Sequence, residues 1–264
     1  MGHQFEYLRE LQMISHRKHY LLAVLSAVLL LSSPAPAQTN PRDTLRLDRA
    51  QFKATHNSYL LKHTPQQQID DFDVWEIELD FGMVEDSRDF LVGHDDPDPK
   101  HGLKTLGDWV RNAASAAGLK KHPLILKLEA KTTGRCASSR FLTFTCVENW
   151  PADWQLRLVD SLEIWLGAEN WITYRKFSGH LQSHWPTVAE LAGKFIVTLQ
   201  DSNEDLDIDK SSTFFFRREI PGLQSAWPPI KDADDFRTAL ESGTNRLTMD
   251  EAYTAVGSGR PLSE

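Results

Sequence analysis

The sequence predicts an α/β protein: one domain built as an irregular (β/α)8 barrel of TIM type. Eight short β-rich runs lie along residues 52–252 with helical periodicities between several of them, the alternation that builds a parallel sheet. A count of eight fits barrel closure, and 264 residues, 41% hydrophobic and 25% charged, are enough for one core of that size. No glycine-rich dinucleotide fingerprint follows the first strand, which argues against a nucleotide-binding version of the alternative architecture, an open doubly wound sheet.

The elements follow in order. The N-terminus reads as a secretory signal over 1–37: a basic "SHRKHY", an apolar "LLAVLSAVLLLSS", then "PAPAQ", with cleavage expected between Ala37 and Gln38. Met13 offers a second start, and the rival reading is an uncleaved anchor, disfavoured because the apolar run is short for a membrane span. The barrel then occupies 38–264. Strands are expected at 52–56, 74–80, 90–94, 123–131, 171–177, 194–201, 214–219 and 246–252. Leu103, Leu106, Val110, Ala113, Ala114 and Ala117 form a helical stripe stopped by Gly118. Leu158, Leu162, Trp165 and Leu166 form another, ending at Gly167, and "DADDFRTALESG" reads as a capped helix ending in glycine. Thr187 is placed to cap a short helix through Leu191. The segments before the third strand are crowded, so the early helices are expected to be weak.

Export, secreted or periplasmic, sets how Cys136 and Cys146 are read. An oxidising compartment favours joining them around "CASSRFLTFTC", and two cysteines alone make no zinc site. With 29 Lys and Arg against 37 Asp and Glu, the chain is acidic and has no polybasic run, which disfavours nucleic acid and electrostatic docking on anionic membranes. At most a transient membrane-surface contact is expected.

In such a barrel the chemistry sits where strands end at their C-terminal face. The first strand ends in His56-Asn57, the second in Glu78-x-Asp80, the third at His94, and the fourth near Glu129. Alternation in "VWEIELD" sets Trp75, Ile77 and Leu79 on one face against Glu76, Glu78 and Asp80. In "LILKLEAK" it sets Leu124, Leu126 and Leu128 against Lys127, Glu129 and Lys131. The apolar sets belong under helices, so the carboxylates face inward. Gathered at one rim, they raise one another's pKa and ask for a cation. Asn57, Glu78, Asp80 and Glu129 form an all-oxygen donor set suited to Ca2+ or Mg2+. The structural alternative, salt-bridged barrel residues, suits Glu76 and Lys127 one level lower. For the upper group it is weakened by the two histidines, which suit acid–base work beside a metal.

Together "THNSY" (55–59), "ELD" (78–80), "GHDD" (93–96) and "LEAK" (128–131) resemble the PI-PLC-like phosphodiesterase superfamily, and most of all its bacterial calcium-dependent phosphoinositide phospholipase C group. The likeness is dense over 52–131 and thinner beyond. It implies His56 and His94 as catalytic histidines, and Asn57, Glu78, Asp80 and Glu129 as Ca2+ ligands. It also implies cleavage of a phosphodiester by an internal hydroxyl to a cyclic phosphate, with Glu78, Glu129 or a histidine as the base. In the strand at 194–201 the inward residues are Ile196, Thr198 and Gln200, where eukaryotic relatives hold extra phosphates with lysines, so a polyphosphorylated headgroup is not expected. Lys131 and Arg217 remain as candidates for binding one phosphate.

The nearest rival is a glycerophosphodiester phosphodiesterase, a family that typically begins with a histidine-arginine pair where this chain has His56-Asn57. A secreted, non-catalytic binding module would be expected to have lost a histidine or a carboxylate. His180 and His184 are four apart, but glycine and proline around them favour a loop over a zinc pair. Trp150, Trp154, Trp227 and the "FLTF" loop (141–144) suggest a lipid-facing lip, with ordinary packing as the simpler reading. No G-x-S-x-G or H-E-x-x-H occurs.

Overall fold

In this computed structural model the chain divides into two compact units, Met1–Asn40 and Pro41–Glu264. The structure describes residues 44–83, 89–94, 98, 100–131, 150–181, 184–201, 215–217, 220, 223 and 233–249, all in the second unit. The signal segment expected at 1–37, Cys136 and Cys146, the 141–144 loop and Trp227 lie outside the described residues.

One sheet of eight strands organises the second unit: β1 (Phe52–Thr55), β2 (Val74–Met83), β3 (Phe90–Val92), β4 (Leu124–Ala130), β5 (Trp171–Ile172), β6 (Phe195–Asp201), β7 (Phe216–Arg217) and β8 (Arg246–Met249). Its path is β5-β6-β4-β2-β1-β8, with β7 beside β6 and β3 beside β2. β5 and β7 pair with β6 at different heights, Trp171 opposite Phe195 and Phe216 opposite Thr198. No ladder joins β7 to β8 among the described residues. This is an irregular barrel of TIM type, as the alternation of elements predicts.

β3 differs from its expected role. Among the described ladders it alone is antiparallel, with Phe81 opposite Val92 and Met83 opposite Phe90. A parallel return needs a crossover of a dozen residues or more, and the few between Met83 and Phe90 cannot make one.

The sheet is buried on both faces, and all ten residues of β2 are buried. On the outer face, the rows Ile77–Leu126–Val197 and Leu79–Leu128–Leu199 pack in one cluster with Trp109, Val110, Leu158 and Leu162 of the helices. On the inner face Phe52, Trp75, Ile125, Ile196 and Phe216 make an apolar floor with Phe177, Val188 and Leu191. Trp75 was expected to share a face with Ile77 but joins this floor, stacked on Phe52 with ring centroids 5.7 Å apart. The cause is a register shift: Lys53 pairs with Val74 and Ala54 with Glu76, so β2 carries one extra residue there and its alternation slips.

The helices are α1 (Pro65–Phe72), α2 (Leu106–Ala114), α3 (Trp154–Leu166), α4 (Tyr174–Leu181) and α5 (Ala233–Glu241). α2 stops before Gly118, which lies in a 3-10 turn, whereas α3 ends at Gly167 with φ 81° as expected. The strand predicted over 171–177 keeps only Trp171 and Ile172. The chain then turns into α4, whose first turn is opened by Thr173: its Oγ1 accepts from the Lys176 N–H, and its carbonyl from the Phe177 N–H. His180 lies on α4, and His184 lies beyond it with Nε2 3.8 Å from Glu190, so the two do not share a helix. At Thr187 the capping contacts with Glu190 form, but the backbone runs in turns rather than a helix. Trp150 and Trp154 are buried, edge to face at 4.9 Å, and belong to the core rather than to a surface lip.

Candidate active site

The ladders stack the inward residues in levels. Glu76, Ile125 and Ile196 share one level; Glu78, Lys127 and Thr198 stand above it; Asp80, Glu129 and Gln200 are at the top. The carboxylates therefore rise towards the C-terminal rim as the alternation predicts. Lys127, however, is in register with Glu78, and its Nζ lies 2.7 Å from Glu78 Oε1. Glu76 is ion-paired as expected, with Arg246 at 3.1 Å, because β8 lies next to β1 and delivers Arg246 from there. Burial raises the Glu76 carboxyl pKa against the opposing charges of Arg246 and Lys127.

The turn after β1 is built onto β2. Asn57 adopts the left-handed conformation (φ 47°), which asparagine tolerates, and its N–H donates to Glu78 Oε2 at 3.3 Å. Ser58 Oγ accepts the Glu78 N–H at 3.0 Å and meets Thr55 Oγ1 at 2.6 Å, locking the turn to the strand that carries the acid. His56, 24% exposed at the side chain, has Nε2 3.6 Å from Glu78 Oε2. Tyr59 is fully buried, and its hydroxyl reaches Asp80 Oδ2 at 2.9 Å and Asn57 Oδ1 at 3.1 Å.

At the top level Glu129 accepts from Lys131 Nζ and from Gln200 Nε2. Lys131 Nζ also lies 3.4 Å from Asp80 Oδ2. Burial drives the Asp80 carboxyl up; Lys131 opposes this, Glu129 and Glu78 add to it, and the pKa settles at about 6. Burial would raise Glu129 too, but Lys131 and Gln200 outweigh it and hold this carboxyl below its ordinary value. Burial works against the charge of Lys127 and Lys131, yet the carboxylates around them prevail and raise both pKa values.

The structure thus gathers His56, Asn57, Glu78, Asp80 and Glu129 at one rim. His94 arrives by an unexpected route. Because β3 descends along β2, the Gly93 N–H donates to the Asp80 carbonyl at 3.0 Å, and His94, which is exposed, follows directly. Lys131, a candidate for binding a substrate phosphate, is held here by two carboxylates. Arg217 stands in β7 opposite Leu199. Lys127, Gln200, Tyr59 and Arg246 were not singled out as partners of these acids, although Lys127 and Gln200 were already in the inward sets.

One oxygen each of Glu78, Asp80 and Glu129 lies within 4.8 Å of the others. With Asn57 Oδ1 linked to Asp80 through Tyr59, the donor set is entirely hard oxygen and fits Ca2+ or Mg2+. The convergence alone does not demand a metal, as the sequence suggested it would. Lys127 and Lys131 supply two positive charges to three carboxylates within the fold.

No family model matches the sequence, and no curated protein matches it. The chain is similar to solved structures of phosphatidylinositol-specific phospholipases C. For the calcium-dependent enzyme of a Pseudomonas species with myo-inositol, identity is 18%, coverage 81% of this chain and 76% of that one, and the TM-score 0.48. For the Listeria monocytogenes enzyme the values are 13%, 80%, 75% and 0.49. For the Ca2+-dependent Streptomyces antibioticus enzyme they are 12%, 77%, 66% and 0.43.

Proposed function

We propose that the protein is a secreted or periplasmic, calcium-dependent phosphodiesterase of phospholipase C type, acting on a phosphoinositide or a related phospholipid-type phosphodiester. The observation that carries this is the convergence of Glu78, Asp80 and Glu129 at the strand ends, with His56 near Glu78 and His94 directly after the Gly93 N–H that bonds the Asp80 carbonyl. The residues are those an internal displacement at phosphorus needs.

A substrate hydroxyl forms the new O–P bond, and the P–O bond to the lipid alkoxide breaks, giving a cyclic phosphate. Glu78, Glu129 or one histidine takes the proton of the attacking hydroxyl, and the other histidine protonates the departing alkoxide. Glu78 holds the His56 ring at the rim, where it donates to charge developing on phosphorus. Ca2+ held by Asn57, Glu78, Asp80 and Glu129 would add Lewis acidity, lowering the pKa of the attacking hydroxyl and neutralising phosphate charge.

The test offers phosphatidylinositol and glycerophosphoinositol to the mature protein and resolves the products by phosphorus NMR. A cyclic phosphate from the lipid is expected. Its rate should fall at least about 100-fold in His56→Ala and His94→Ala while their melting temperatures hold. Glycerol phosphate from the soluble diester, with no lipid cleavage, would overturn the phospholipase reading for a glycerophosphodiester phosphodiesterase.

A further inference from the structure

Lys131 is placed unusually for a residue at the mouth of a phosphodiesterase site. Its side chain is only 11% exposed, and its ammonium makes ion pairs with both Asp80 and Glu129. Its backbone is pinned, the N–H donating to the Phe81 carbonyl at 2.7 Å, so only the flexible stem is free to swing. Lys127 is different. It pairs with Glu78 on the level below and leaves the other Glu78 oxygen to His56 and Asn57.

We propose that Lys131 is a resident counter-cation of the rim, displaced when a divalent cation binds, so that the chain's own ammonium sets the affinity for that cation. The proposal rests on reading Glu78, Asp80 and Glu129 as the cation's ligands. Three carboxylates and two lysines leave the cluster one negative charge in excess. Adding a divalent ion with both lysines in place would reverse that sign inside a largely buried site, a costly change. A hard cation needs oxygens of Asp80 and Glu129 at about 2.3–2.6 Å. Lys131 contacts both acids, so two cations would compete for the same pair and repel each other at short range. Exchange relieves this: the ion takes the carboxylates, and the ammonium, its stem swung outward, is free to meet a phosphate oxygen. The substrate contact expected for Lys131 and its place on two acids are then two states of one side chain.

The experiment titrates Ca2+ into metal-stripped wild type, Lys131→Met and Lys131→Arg by calorimetry at one pH, and records melting with chelator and with Ca2+. Lys131→Met should bind Ca2+ about tenfold or more tightly than wild type. Its melting temperature should also rise more on adding Ca2+, since a ligand stabilises in proportion to how far its concentration exceeds Kd. Lys131→Arg, which keeps the charge, should show neither gain. Should Lys131→Met not fold, Lys131→Gln, which retains a donor for Glu129, gives the same comparison. Wild type that binds Ca2+ with Lys131→Met no tighter would overturn the exchange and leave the cation site standing. No binding by wild type or any variant would overturn the cation reading and the exchange together.

Discussion

Tyr59 has one hydroxyl proton and two acceptors, Asp80 Oδ2 at 2.9 Å and Asn57 Oδ1 at 3.1 Å, so it ties an acid of β2 to the turn after β1. Burial and the charge of Asp80 push its pKa above the ordinary tyrosine value, so it stays a donor. Tyr59→Phe keeps the ring and deletes the tie. It should weaken Ca2+ binding about tenfold in calorimetry and cost about 1 kcal/mol in urea unfolding. The acids themselves were legible in the sequence, because strand alternation fixes the face of Glu78, Asp80 and Glu129. Their partners were not. Lys127 meets Glu78 rather than Glu76 because of the β2–β4 register, and register depends on packing between segments distant in sequence.

Among the elements, α2 shows how local chemistry sets a boundary. Thr105 Oγ1 accepts the Asp108 N–H at 3.1 Å and the Asp108 carboxylate accepts the Thr105 N–H at 3.0 Å, a reciprocal cap. Thr105→Ala should cost about 1 kcal/mol in urea unfolding at pH 7. Burial is the largest single influence on Asp108 and raises its pKa, but the hydrogen bonds from Thr105, Lys104 and Arg111 together outweigh it and hold the carboxyl below its ordinary 3.8 in the folded chain. The carboxylate's contribution is therefore complete above that value and is lost as pH falls through the lower, folded pKa. The stability difference between wild type and Asp108→Asn should accordingly shrink between pH 7 and pH 2. The same signature stands before α1, where Thr64 and Gln67 form a capping box with Pro65 in the first turn. That helix went unread in the sequence: its cap signals a start, but its weakly apolar "PQQQIDDF" shows no clear stripe. α4 was hidden for another reason: its aromatic and basic residues suit a strand, and only the pairing of Trp171 and Ile172 with β6 shows where the strand stops.

For the whole molecule, the alternation of elements and the count of strands made the barrel legible, whereas the direction of β3 and the neighbours of each strand were settled by connection length and packing. The Glu76–Arg246 pair spans from β2 to β8, across β1, with both side chains nearly inaccessible. Arg246→Met should cost about 3–5 kcal/mol in urea unfolding by leaving a buried carboxylate without its charge partner. Glu76→Gln added to it should recover much of that loss, with the rim acids unchanged. That lower pair belongs to stability, and the proposed function depends on the rim being a cation-dependent centre for phosphodiester cleavage. The most direct test is the phosphorus NMR time course of phosphatidylinositol with metal-stripped protein, first in chelator and then after Ca2+ is restored. No product is expected in chelator, and a cyclic inositol phosphate once Ca2+ is present. Turnover at an undiminished rate in chelator, or none in Ca2+, would contradict the cation-dependent reading of the rim.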